Sequence, residues 1–158
     1  MAMLPGVTRS LTTAERDALS PGLWDALLAA GAFPRIVAAP SPLAKIAYLW
    51  RRHTPVLTLG DRIYWGRAPD DCSRQPAAMA LLQHELQHVL DYAAGRLTWA
   101  GYAIDPRNWS YDLPPADRWD WSRLGAEQRA VLTEQLWRAE RSRDQARIAQ
   151  LRAVIPWG

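Results

Sequence analysis

Cysteine, lysine and histidine are scarce in this sequence of 158 residues. The single cysteine, Cys72, excludes an intramolecular disulfide and a cysteine-rich zinc site. No apolar run approaches the roughly 18 residues that a membrane-spanning helix needs, so no membrane partner is expected. The first residues lack a basic segment followed by an apolar one, so we expect no cleaved secretory signal. The composition predicts a soluble chain that folds without covalent crosslinks.

Positive charge comes almost entirely from arginine. Lys45 is the only lysine, which leaves 18 of the 19 cationic residues as arginine, with a formal net charge of +3. The arginines near the C-terminus alternate with Glu134, Glu140 and Asp144, a mixture typical of a solvated helix face. A phosphate-binding surface needs basic residues clustered on one face. We therefore expect no nucleic-acid partner.

Short helices and strands are predicted in the first half of the chain. Residues 12–15 form a capping box, in which Thr12 and Glu15 satisfy each other's backbone N–H groups and begin a helix towards Leu19. The other predicted elements are a helix from residue 23 to Gly31, a strand at 35–38, a helix at 43–52, and strands at 56–59 and 62–65 that form a hairpin around Gly60 and Asp61.

The second half is predicted to be mainly helical. Apolar residues at steps of three and four predict a helix over residues 76–95 with one buried stripe. A long connection over residues 97–122 lacks periodicity, and such segments often build functional surfaces. A last helix is predicted from about residue 124 to 154, capped by Ser122. The fold class is therefore α+β, a mostly helical single domain over residues 1–158 with a small antiparallel sheet, in which residues 138–158 form a basic helical extension.

The long helix contains the motif His84-Glu85-Leu86-Gln87-His88. Histidines at i and i+4 project from one helix face, close enough to hold one Zn²⁺ through their imidazole nitrogens. Glu85 stands beside the first histidine, where a carboxylate can take a proton from a zinc-bound water and pass it to a leaving amine. The motif predicts a catalytic zinc site, against the alternative of polar residues on an exposed helix face.

A catalytic zinc site needs a third protein ligand, with water in the fourth position. The only other histidine, His53, lies upstream, and no histidine follows His88, so the downstream histidine of the metzincins is missing. The third ligand should therefore be a carboxylate. The candidates are Asp91, Asp105, Asp112, Asp117, Asp120, Glu127 and Glu134.

Asp91 and Glu127 are the two main candidates, and they lie on different predicted helices. Asp91 follows His88 by one helical turn, so it could be a ligand or could instead orient a histidine as a hydrogen-bond acceptor. A short side chain on the same helix is poorly placed to complete a tetrahedron. Glu127 lies on a second helix between small residues that would allow close approach, so we favour Glu127 as the zinc ligand.

Several stretches resemble the Vgr-related metallopeptidases of bacteria, which are related to the core domain of extracellular contractile injection systems. The matching stretches are residues 11–15, 62–65, 82–89, 111–113 and 124–130, of which the zinc motif and the Glu-Gln-x-Ala stretch at Glu127 are distinctive. The resemblance implies a zincin-like fold and a small gluzincin-like zinc peptidase with His84, His88 and Glu127 as ligands, linked in some relatives to type VI or related injection machinery.

Three further features are weaker candidates. Tyr111, in a stretch that resembles the family, is the predicted donor to the oxyanion, with Tyr102 as the alternative, although a tyrosine buried in the core is the simpler interpretation. The strand at residues 62–65 resembles the strand that pairs with substrate backbone in such peptidases, although an ordinary buried hairpin is equally expected. Cys72 could ligate zinc in a latent form, but an unreactive thiol is the simpler interpretation.

The predicted function is zinc-dependent hydrolysis of peptide bonds in a protein or peptide substrate, with Zn²⁺ as the cofactor. The alternatives are a peptidoglycan amide hydrolase and a non-catalytic, zinc-containing binding or assembly module of an injection system. An intact Glu85 favours an enzyme, because a structural zinc site has no use for a water-activating carboxylate. We expect synthesis in the cytoplasm, with export by an injection system that needs no signal peptide.

Overall fold

A computed structural model describes residues 1–42 and 56–158 of the chain. The helix predicted at residues 43–52 and the histidine at position 53 lie outside the described residues. The described residues form a mixed α+β structure, as the sequence predicts, with one small sheet and several helices.

The N-terminal elements follow the predicted order with one addition. The capping box is confirmed, since the Thr12 hydroxyl accepts from the Glu15 N–H at 3.0 Å and the Glu15 carboxylate accepts from the Thr12 N–H at 2.8 Å. A first strand that the sequence analysis did not predict precedes it. The elements are β1 (Thr8–Ser10), α1 (Thr13–Asp17), α2 (Leu23–Ala29) and β2 (Arg35–Val37).

The sheet has four strands in the described part of the chain, and its pairing differs from the prediction in one respect. The predicted hairpin is confirmed as β3 (Leu57–Leu59) and β4 (Arg62–Tyr64), and the strand order is β1-β2-β4-β3. The expected all-antiparallel sheet is wrong, because β2 pairs with β4 in parallel. Turn residues fix only the pairing of strands adjacent in sequence, whereas a parallel pair depends on a longer crossover that local patterns do not reveal.

The longest helix, α3 (Pro76–Ala93), confirms the predicted helix at residues 76–95. The sheet packs on it through Ile36 and Ile63, which lie in one cluster with Met79, Leu82 and Leu86. Each of these side chains is fully buried, and each such burial stabilises the fold by roughly 1.5–3 kcal/mol. The packing fixes α3 against the face of the sheet.

The connection after α3 contains more regular structure than its lack of periodicity indicated. It begins with the short helix α4 (Trp99–Ile104), which the Thr98 side chain caps by accepting from the Gly101 N–H at 2.9 Å. Two 3₁₀ turns follow, at Pro106–Trp109 and Ala116–Arg118. None of these three elements contains a buried residue, so apolar periodicity could not reveal them.

The predicted last helix is two helices, so the prediction of one helix over residues 124–154 is wrong. Helix α5 (Ala126–Ser142) begins after Gly125, and α6 (Gln145–Arg152) follows a break at Arg143, whose φ of 59° is left-handed. The predicted cap, Ser122, instead bonds to Asp120.

The chain after this break folds back onto α5. Leu151 and Ile155 are buried with Leu132 and Leu136 in a second apolar cluster. The stretch predicted as a basic extension, residues 138–158, thus includes the end of α5 and contributes buried side chains to that cluster. Among residues 1–42 and 56–158, no helix is both long enough and apolar enough to cross a membrane.

Candidate metal centre

Helix α3 carries the three motif residues in a buried position. His84, Glu85 and His88 are 6%, 5% and 6% exposed, and every residue of the helix from Leu82 to Asp91 is buried. This differs from the single buried stripe that periodicity predicted, because α5 covers the polar face. The alternative of polar residues on an exposed helix face is therefore wrong. Ionisable groups buried in this way require partners.

Glu127 supplies the partner from the first turn of α5, where the helix dipole favours a carboxylate. Its Oε2 atom lies 3.0 Å from His84 Nε2 and 3.5 Å from His88 Nε2. Ligand atoms of the three residues all lie within 4.8 Å of one another. Bond lengths of about 2.0–2.2 Å around tetrahedral zinc place neighbouring donors about 3.3 Å apart. The buried His-His-Glu group can therefore hold a metal ion.

Electrostatics tie these groups together. Burial lowers the pKa of His84, but hydrogen bonds that its ring donates to Glu127 and Glu134 outweigh burial and raise that pKa to about 10. Burial raises the pKa of Glu127, but hydrogen bonds with His84 and His88 outweigh it and hold the pKa well below its usual range. The imidazole nitrogens and the Glu127 carboxylate together stabilise a bound proton, and the same arrangement can stabilise a metal cation in its place.

Glu134 occupies the other side of His84. Its Oε2 atom lies 3.5 Å from His84 Nδ1, and its Oε1 atom accepts from Arg138 at 2.7 Å. A carboxylate at the second imidazole nitrogen fixes the ring orientation in metal sites. Glu134, predicted only as a ligand candidate, thus lies where it would orient His84 if that ring bound a metal. His88 Nδ1 is buried and has no hydrogen-bond partner among the described residues.

The rival ligand Asp91 is occupied elsewhere. Its carboxylate accepts from Gln87 at 2.9 Å, from Arg96 at 3.0 Å and from Arg129 at 2.8 Å. It is fully buried in this ion-pair network and is not part of the His-His-Glu group, so it is neither a ligand nor a hydrogen-bond acceptor for a histidine. Four other predicted candidates do not join the group among the described residues. They are Asp105, Asp112, Asp117 and Asp120.

The sheet contacts the motif through Thr58 on β3. Thr58 pairs with Ile63 across the hairpin, so both side chains face α3. The Thr58 hydroxyl donates to Glu85 Oε2 at 2.7 Å. This contact holds the carboxylate of Glu85 by one oxygen. Sequence analysis missed Thr58, because nothing local marks a strand residue that contacts a helix far along the chain.

The two tyrosine candidates take different positions. The Tyr111 ring stacks on His84 with centroids 6.1 Å apart and is 41% exposed. The Tyr102 hydroxyl donates to Glu127 Oε1 at 2.6 Å. Tyr102 was predicted only as the alternative oxyanion donor, and its contact with Glu127 was not predicted.

Two further candidates lie apart from the His-His-Glu group. The strand over residues 62–65 is β4, which pairs on both sides, so the proposed edge for substrate is wrong there. The edge strand of the described sheet on that side is β3. Cys72 is buried, does not belong to the His-His-Glu group, and burial raises the pKa of its thiol to about 12.

No protein-family model, curated protein or solved structure significantly matches the chain. A proposal about function therefore depends on the geometry of the residues themselves.

Proposed function

We propose that the protein is a zinc metallopeptidase of the gluzincin type with a zincin-like fold. The observation that supports this most strongly is the convergence of His84, His88 and Glu127 at distances near the edges of a zinc tetrahedron, with Glu85 beside them. The three ligands come from two helices, which gives the donors different directions of approach. The donor set of two imidazoles and one carboxylate matches catalytic zinc sites.

Zinc bound there would supply Lewis acidity, which lowers the pKa of a bound water and polarises a substrate carbonyl. Glu85 would be the group that accepts a proton from a water activated there and passes it to the leaving amine as the amide bond breaks. Thr58 engages Glu85 Oε2, so the other carboxylate oxygen is the one available for the proton. Glu134 contacts His84 Nδ1, which leaves Nε2 as the ring nitrogen that would bind the metal.

The number of ligands favours catalysis over a purely structural role. Structural zinc sites are closed by four protein ligands, whereas catalytic sites keep one position for water or substrate. Among the described residues, three side chains form the group. An assembly module with structural zinc is therefore less consistent with this group than an enzyme.

Tyr111 is the proposed donor to the oxyanion that develops on the substrate carbonyl. Its ring lies beside His84 and is 41% exposed, so it borders both the metal ligands and solvent. Tyr102 is less suited to this role because its hydroxyl already donates to Glu127. The substrate we propose is a protein or peptide, and export by an injection system is the proposed route out of the cytoplasm.

The test combines metal analysis with one substitution. We expect chelator-free protein to carry zinc, and zinc-loaded protein to cleave a proteome-derived peptide library. Glu85→Gln should keep zinc and lose cleavage, and Glu140→Gln, which alters an exposed pair with Arg152, should retain both. Absence of zinc, or equal cleavage by Glu85→Gln, would contradict the proposal. Cleavage of peptidoglycan stems but not of peptides would reassign the substrate.

Export is tested by cell fractionation. The protein should leave cells that have a working injection system and remain inside cells that lack one. Equal retention in both would contradict delivery by that route.

A further inference from the structure

The carboxylate of Glu127 is held at both oxygens. Oε2 faces the two imidazole nitrogens of His84 and His88, and Oε1 accepts the Tyr102 hydroxyl at 2.6 Å. Glu127 is 4% exposed, so water has little access to either oxygen. The two oxygens therefore have different partners, one shared with the histidines and one bound to a neutral donor.

Tyr102 is itself fixed by the turn that follows it. The Trp109 indole N–H donates to the Tyr102 carbonyl at 2.6 Å, and the Asn108 side-chain amide donates to the Gly101 carbonyl at 3.1 Å. These bonds tie α4 to the 3₁₀ turn Pro106–Trp109. The position of the Tyr102 ring thus depends on this turn.

The same turn packs on the start of α5, which carries Glu127. Asn108 Oδ1 accepts from the Ala126 N–H at 3.0 Å. Gly125 lies so close to the turn that a Cβ there would stand 1.8 Å from the Arg107 carbonyl oxygen. Contacts therefore run in a closed circuit from Glu127 through Tyr102 and the turn back to the first turn of α5.

We propose that Tyr102 is a positioning residue that makes Glu127 a ligand through one oxygen only. This inference rests on the proposed zinc site and extends it. With Oε1 engaged by the hydroxyl, Oε2 is the oxygen left to bind a metal held by His84 and His88, and ligation through that oxygen alone would leave room for water. Hydrogen bonds to ligands of this kind typically change metal affinity by about 10- to 100-fold.

The test measures metal binding rather than turnover. Zinc affinity is measured by competition with a chromophoric chelator, and the visible spectrum of the cobalt-substituted protein reports coordination number. Tyr102→Phe removes only the hydroxyl. The matched control is Tyr64→Phe on β4, whose side chain faces away from α3 because its neighbour Ile63 faces the core.

Tyr102→Phe should bind zinc about 10- to 100-fold more weakly, with weaker cobalt absorption bands as Glu127 coordinates through both oxygens. Tyr64→Phe should match the wild type in both measurements. A folded Tyr102→Phe protein with wild-type affinity and spectrum would overturn the inference, as would an equal loss in Tyr64→Phe. If circular dichroism shows that Tyr102→Phe does not fold, Trp109→Phe decides instead, with a smaller loss expected and no loss overturning the inference.

Failure of the proposed zinc site gives a different result. In that case the wild type fails to bind zinc, or Glu127→Ala binds it normally, and both proposals fall. Normal zinc binding by the wild type, its loss in Glu127→Ala and no effect of Tyr102→Phe would overturn the role of Tyr102 alone.

Discussion

Replacing Arg129 with Met removes the positive partner of a fully buried carboxylate. Arg129 Nε lies 2.8 Å from Asp91 Oδ2, and the two side chains are 7% and 0% exposed. Breaking a buried ion pair by removing one partner costs about 3–5 kcal/mol, because the remaining charge has no compensation. Arg96 still contacts the same carboxylate at 3.0 Å, so we expect the lower half of that range.

A loss of about 3–4 kcal/mol is large for a domain whose total stability is about 5–15 kcal/mol. It should lower the midpoint of thermal unfolding by roughly 6–16 °C, since 1 kcal/mol shifts the midpoint by roughly 2–4 °C at this chain length. Urea unfolding followed by circular dichroism gives the free energy directly. The proposed zinc site should survive in the folded protein, because Asp91 and Arg129 are not part of the His-His-Glu group.

An exposed ion pair of the same chemistry is the control. Arg123 lies 3.4 Å from Asp120, with side chains 86% and 50% exposed. Arg123→Met should cost less than about 1 kcal/mol, because water screens surface pairs. Equal destabilisation by the two substitutions, or a loss below about 1 kcal/mol for Arg129→Met, would refute the reasoning from burial.

Three further predictions concern pH, the thiol and one glycine. Hydrogen bonds to Glu127 and Glu134 raise the pKa of His84 to about 10, so zinc that binds at the proposed site would have to displace a proton. Zinc affinity should therefore rise about tenfold per pH unit and level off above pH 10, and a flat profile in calorimetry would contradict this. Burial raises the pKa of the Cys72 thiol to about 12, so a thiol reagent at neutral pH should label the unfolded but not the folded protein. Rapid labelling of the folded protein would refute this prediction. Gly125→Ala should lower the free energy of unfolding in urea by about 1–3 kcal/mol, because its Cβ would overlap a neighbouring carbonyl oxygen. Gly66→Ala has open space for its Cβ and should leave the stability nearly unchanged. Equal effects of the two substitutions would argue against the close approach at Gly125.

Local patterns predicted the elements whose determinants are close in sequence. The capping box at Thr12 and Glu15, the hairpin around Gly60 and the long helix α3 each depend on residues within a few positions of one another. The parallel pairing of β2 with β4 depends on segments far apart in the chain, so local patterns could not reveal it. The break at Arg143 was missed because a non-glycine residue adopts the left-handed conformation there.

In the candidate site, too, local patterns predicted some residues and not others. Spacing within one helix pointed to His84 and His88, and the small residues beside Glu127 indicated a second helix that approaches closely. Glu134 follows Glu127 by two helical turns, so helical geometry offered a signal for both acids on one face. The contacts of Thr58 with Glu85 and of Tyr102 with Glu127 join different elements, and only the folded structure reveals them.

The zinc-edge X-ray absorption spectrum of zinc-loaded protein tests the three-ligand centre most directly. We expect four nitrogen or oxygen scatterers at about 2.0–2.2 Å, with the outer-shell pattern of two imidazoles from His84 and His88. Glu127→Ala should alter the oxygen contribution and leave the imidazole pattern in place. A sulfur scatterer at about 2.3 Å, or a shell of six oxygens without imidazole, would contradict a His-His-Glu zinc centre.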